Sequence, residues 1–178
     1  MSDIINNIYN QYPRLKKYAT DIEIRMDKLM PPQLFKEGEM GQLEFFPKGE
    51  KYSPNPEKNI IEVYNPHLKD EWLEQAIFGD MLHALPYKDS KFTELRDEFK
   101  NSLTENQLLT AVNMYEREKT AEPRTFEKSF DVSILDGFIR GYIAPDKNDE
   151  WRKNNFYTEE QEIILDDMIS LLKEESSE

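Results

Sequence analysis

Residues 69–85 read KDEWLEQAIFGDMLHAL, and the spacing predicts the central helix of the fold. At about 100° per residue, Trp72, Leu73, Ala76, Ile77, Gly79, Asp80 and His83 share one arc, while Phe78, Leu82 and Leu85 lie opposite. A helix apolar on both sides packs inside a fold, not on its rim. Asp80 and His83 stand at i and i+3 and are expected as buried neighbours. Burial of both requires compensation, because an unpaired interior carboxylate is expensive. Gly79 costs a helix interior about 1 kcal/mol relative to alanine, so another segment is expected to pack closely there.

The elements around this helix follow from local signals. Residues 4–30 read as an N-terminal helical arm interrupted near Pro13, with Leu15, Tyr18, Ile22 and Met26 at three- and four-residue spacing. Two short strands are expected at 43–46 and 60–64, paired as an irregular hairpin across the turn-rich 48–59. From residue 69 the chain reads as helical. Phe92, Leu95, Phe99 and Leu103 line one face of a helix, and Thr104/Gln107 and Thr158/Gln161 each match the capping box that opens one. Residues 126–143 form a further helix bearing Gly137 and Gly141 one turn apart, expected to cross the central helix at short distance. Asp136 and Arg140 on that helix read as a surface i,i+4 ion pair. The expected fold is α+β and mostly helical, about six helices with two or three short strands. It is one domain over 1–178, divided into an arm (1–32), a strand-and-loop region (33–68) and a helical core (69–174).

Composition narrows the function classes. With 38% hydrophobic and 33% charged residues the chain is globular. The lack of cysteine excludes disulfides, thiolate catalysis and cysteine metal sites, and suits a reducing cytoplasm. No apolar run reaches the roughly 20 residues of a spanning helix, so no membrane partner is expected. A net charge of −13 argues against direct nucleic-acid binding. It leaves open an acidic DNA mimic that inhibits a DNA-binding protein, although the 23 interleaved Lys and Arg residues weaken that reading.

The chemistry-bearing pattern is again in the central helix. In H-E-x-x-H, two His one turn apart hold zinc and the Glu between them is the general base. Here the register is Gly79-Asp80-Met81-Leu82-His83, so the first metal ligand is a glycine. Together with Gly41–Pro47, the strand ending in Asn65-Pro66 and the helices that follow, this helix resembles the core of zincin-like metallopeptidases. The later stretches Gly141-Tyr142, 146–151 and 157–161 resemble uncharacterised proteins encoded by phages and prophages. The resemblance implies a zincin-like core, degenerate as a metallopeptidase, in a non-enzymatic protein that works by binding another protein.

Three accounts of Asp80 and His83 compete. They are a structural pair satisfying one another, with no cofactor; a metal site, with zinc held by His83, Asp80 and His67 in a divergent hydrolase; or a metal-free acid–base pair with Asp80 and His83 as catalytic residues. Nothing in the sequence marks a nucleophile or oxyanion hole for the last. In the loop before the final helix, Asp146, Asn148, Asp149 and Glu150 lack the central glycine and spacing of an EF-hand. Trp151 and Tyr157 there are expected to anchor the loop on the core or, if exposed, to mark a partner-binding surface.

Overall fold

The computed structural model describes residues 2–26, 43–49, 51, 53–64, 70–83, 85–119, 123–147 and 157–175. It is a mostly helical α+β architecture with one three-stranded mixed sheet. Helices α1 (Ser2–Gln11) and α2 (Leu15–Tyr18) are separated at Pro13, which cannot continue the hydrogen-bond ladder.

The chain then leaves the helical path that the spacing of Ile22 and Met26 predicts. Ile22–Arg25 is strand β1. Asp21 adopts a left-handed φ of 52°, which ends any helix, and an aspartate tolerates that conformation better than most residues. The Ile-Glu-Ile-Arg alternation then suits a strand. Asn59 fastens the junction: its side-chain amide donates to the Thr20 carbonyl at 2.8 Å and its oxygen accepts from the Lys48 amide at 2.8 Å.

Strands β2 (Leu43–Phe46) and β3 (Asn59–Val63) pair antiparallel, with Leu43 opposite Val63 and Phe46 opposite Ile60, as the sequence predicts. β1 lies parallel on the other edge of β3, Ile22 opposite Asn59, giving the order β1-β3-β2. Ile60, Ile61 and Val63 of the central strand are buried.

Helix α3 (Asp70–Leu82) is central, as its two apolar sides require: Leu73, Ile77, Phe78, Met81 and Leu82 are all buried. It packs on α1, just past whose end Tyr12 stacks on Phe78 at 4.7 Å between ring centres, and on β2. Trp72, which the wheel places with the buried arc, is 46% exposed instead. α3 also stops short of Leu85. That residue opens α4 (Leu85–Lys88), where Pro86 occupies a first-turn position that needs no amide hydrogen.

Asp89 caps α5 (Ser90–Asn101), accepting from the Phe92 amide at 3.1 Å. The same buried carboxylate takes Arg14 Nε at 2.5 Å and the Tyr18 hydroxyl at 2.9 Å, clamping α2 onto α4 and α5. Both predicted capping boxes are present, at Thr104 for α6 (Glu105–Glu118) and at Thr158 for α9 (Glu159–Lys173). The predicted helix over 126–143 forms as α7 (Phe126–Ser129), a π-helical turn (Phe130–Ile134) and α8 (Leu135–Ile143). One buried cluster unites Ile8, Ile61, Ile77, Phe99, Phe138 and Leu165 from across these elements. No helix among the described residues is long and apolar enough to cross a membrane.

Candidate functional site

Gly79, Asp80 and His83 sit where α3 crosses α8. An ideal Cβ at Gly79 would lie 2.5 Å from Asp136 Oδ2 and 2.9 Å from Arg140 Nε. The predicted close approach is therefore real, and it is made by side chains of α8. This corrects the expectation that Asp136 and Arg140 are a surface pair. Their side chains are 7% and 22% exposed, and Arg140 Nε stands 3.4 Å from Asp136 Oδ2, directly over the glycine. The i,i+4 spacing gives the pairing, but only the helix crossing buries it.

Asp80 and His83 are neighbours, as the spacing predicts, with side chains 16% and 23% exposed. His83 Nε2 lies 3.8 Å from Asp80 Oδ1 and equally 3.8 Å from Asp136 Oδ2. Asp136 thus serves Arg140 on one side and His83 on the other. The sequence signal that could have found it is the pairing of a helix-interior glycine with a short acidic residue on a second glycine-bearing helix. That signal becomes specific only once the two helices are known to cross.

The charges of this cluster are strongly coupled. Burial pushes the Asp80 carboxyl up to about 7, with Asp136 and Glu44 adding repulsion against the opposing pull of His83 and Arg140. Asp80 Oδ2 is buried without a hydrogen-bond partner among the described residues, an environment that favours the neutral acid. Burial alone would lower the His83 pKa, but the neighbouring carboxylates of Asp136 and Asp80 outweigh it and raise the value. Glu44 on β2 is likewise raised, by burial first and by Glu62, while Tyr64 donates to it at 3.0 Å. The result is a buried cluster in which His83 and Arg140 face the carboxylates of Asp80 and Asp136.

A zincin-like active site implies zinc, and the residues at this crossing do not fit it. The place of the first ligand is a glycine covered by an ion pair. Among the described residues no group of three or more His, Asp or Glu side chains is placed to hold a metal ion. His67, the third residue of the metal alternative, lies outside the described residues, as does Trp151. Tyr157 is described and half-buried: its hydroxyl donates to the Phe138 carbonyl at 2.7 Å and its ring meets Tyr142 edge-on at 5.5 Å. It anchors its segment on α8, the first of its two predicted roles.

No family model, no curated protein and no solved structure matches this chain.

Proposed function

We propose that this chain is a phage- or prophage-encoded protein that acts by binding another protein, on a degenerate zincin-like scaffold without peptidase chemistry. The observation that carries the reading is the filled notch at Gly79, where Asp136 and Arg140 occupy the space that a first metal-ligating side chain needs. Asp80 and His83 then act as an internal pair, with the His83 imidazole facing Asp136 of α8 and not a substrate. Among the described residues five large apolar side chains are exposed (Trp72, Leu108, Leu109, Val112 and Ile163), the kind of surface that protein partners bind.

The test has two arms. Zinc titration of the full chain and of its Gly79→His variant should show no saturable site in either, because the histidine would have to displace a buried ion pair. Affinity capture from host extract, followed by reconstitution with the purified candidate, should give a stoichiometric complex. Near-stoichiometric metal in the purified protein, lost in His83→Ala and accompanied by hydrolytic activity, would overturn the reading in favour of the divergent hydrolase.

A further inference from the structure

Helix α6 carries Glu105 in its first turn and Lys119 at its end, and between them lie three of the exposed large apolar side chains. Leu108, Leu109 and Val112 are 46%, 60% and 37% exposed. Gln107 and Ala111 set the buried side of the helix. With Gln107 as the origin, Leu108, Lys119, Val112, Glu105, Glu116 and Leu109 fall at about 100°, 120°, 140°, 160°, 180° and 200° around the axis. All six are exposed and share one outward arc. Lys119 keeps helical dihedrals (φ −62°, ψ −20°), so the arc runs through it. Glu105, Leu109, Val112, Glu116 and Lys119 follow one another at alternating four- and three-residue steps, the repeat along which two helices form a seam.

The charges along this seam are complementary to themselves. Val112 is its midpoint: Glu105 lies seven residues before it and Lys119 seven residues after. Two α6 helices that cross antiparallel, with a two-fold axis at Val112, place each Glu105 opposite the partner's Lys119. The same axis sets Leu108 against the partner's Glu116 and Val112 against its own copy. Within one chain Lys119 Nζ already meets Glu116 at 2.5 Å, yet the lysine side chain is 43% exposed. An ammonium has three donors, so Lys119 can hold its own Glu116 and the partner's Glu105 together. Parallel pairing would instead oppose Glu105 to Glu105 and Lys119 to Lys119, and would align the two helix dipoles. Charge therefore selects the antiparallel arrangement.

We infer that the outward face of α6 is an isologous dimer interface, on which a second copy of the chain docks its own α6 antiparallel across Val112. An isologous contact uses the same patch on both partners, and this patch supplies both signs of charge in the order that such a contact needs. The net charge of −13 opposes association. That repulsion comes from acid distributed along the whole chain and is screened beyond about 10 Å at 0.1 M salt, whereas the Glu105–Lys119 pairs act at contact. A 14-residue helix gives a seam about 21 Å long. Its small extent makes the dimer weak and concentration-dependent. The inference is independent of the zincin and phage reading above, since it concerns a contact of the chain with itself.

The experiment is sedimentation velocity of the full chain from about 10 μM to about 1 mM, a range that resolves weak association. A monomer–dimer equilibrium is expected. L109S/V112S should raise its dissociation constant about tenfold or more at an unchanged melting temperature, because both side chains are exposed. E105K and K119E should each weaken the dimer, and the combined variant E105K/K119E, which swaps the signs but keeps the match, should recover it. The chain has no cysteine, so V112C introduces a single thiol on the two-fold axis. Mild oxidation should link that variant into a dimer, while I163C at the same concentration should stay monomeric. A monomer at every concentration overturns the proposal. So does a dimer that L109S/V112S leaves intact, or one that E105K/K119E fails to recover. None of these outcomes removes the protein-binding reading, which fails instead on stoichiometric metal with hydrolytic activity.

Discussion

The carboxylate of Asp136 lies over the α-carbon of Gly79, so close that a methyl group there would stand 2.5 Å from its Oδ2. The glycine leaves out the side chain that would block this approach. It is the contact that lets α8 bring Asp136 and Arg140 down onto α3 beside His83.

Gly79→Ala should destabilise the protein by roughly 1–3 kcal/mol, the usual range for overpacking, even though alanine is the better helix former by about 1 kcal/mol. Asp136 is too buried to swing aside. In an Asp136→Ala background the penalty should shrink, because the nearest clash is gone and only the longer Arg140 side chain, with Nε at 2.9 Å, still has to give. Urea denaturation of the four members of this cycle measures it.

Asp80 should make the protein less stable as pH rises. Its folded pKa of about 7 exceeds the ordinary value of 3.8, so between these limits the unfolded chain binds fewer protons and stability falls with increasing pH. His83 works in the same direction: its raised folded pKa gives stability that is complete below 6.5 and is lost as pH climbs through the folded value. Asp80→Asn should therefore flatten the decline in melting temperature above about pH 5. Thermal melts at several pH values would show it, and a slope unchanged in the variant would place the effect elsewhere.

Asp89 should act at the opposite end of the pH scale. Burial would raise its carboxyl, but Arg14, the Phe92 amide and Tyr18 together hold it below the usual carboxylate range. Its contribution is present above pH 3.8 and disappears as pH falls through the lower folded value. Asp89→Ala removes a helix cap and strands Arg14, whose side chain is only 12% exposed. A loss of roughly 3 kcal/mol at neutral pH is expected, readable by chemical denaturation, with much of the difference gone in acid.

Gln107 and Gln161 should behave as one unit. Each oxygen closes its own capping box, Gln107 on the Thr104 amide and Gln161 on the Thr158 amide, and Gln161 also donates to the Ser102 carbonyl at 2.9 Å. Gln161→Ala leaves buried donors and acceptors unpaired at both helix starts and should cost about 2 kcal/mol. The double variant with Gln107→Ala should cost clearly less than the sum of the two singles. Additive losses would show that the two caps work independently.

Much of the fold is legible in local chemistry. The capping boxes announce α6 and α9 because a Thr and a Gln three residues apart satisfy each other's backbone amides without outside help. The β2–β3 hairpin is announced by β-branched and aromatic runs around a turn-rich bridge, and the burial of α3 by its two apolar sides. β1 was not legible. Ile22 and Met26 sit at helical spacing, yet Ile22 and Ile24 also alternate, and four residues cannot decide between the periods. Parallel pairing with β3, more than thirty residues downstream, decides it.

The site divides along the same line. Sequence spacing alone makes Asp80 and His83 neighbours and puts Gly79 about one turn before His83, because the α-helical repeat is a property of the backbone. The roles of Asp136 and Arg140 came from the tertiary structure. Spacing predicts their mutual ion pair equally well in water or in the interior. Only the crossing of α8 over Gly79 removes them from solvent, turns a surface pair into the counter-charge of His83, and fills the notch. Helix periodicity is local and so can be read along the chain. Desolvation depends on what packs against a residue, and that is decided by distant segments meeting in space.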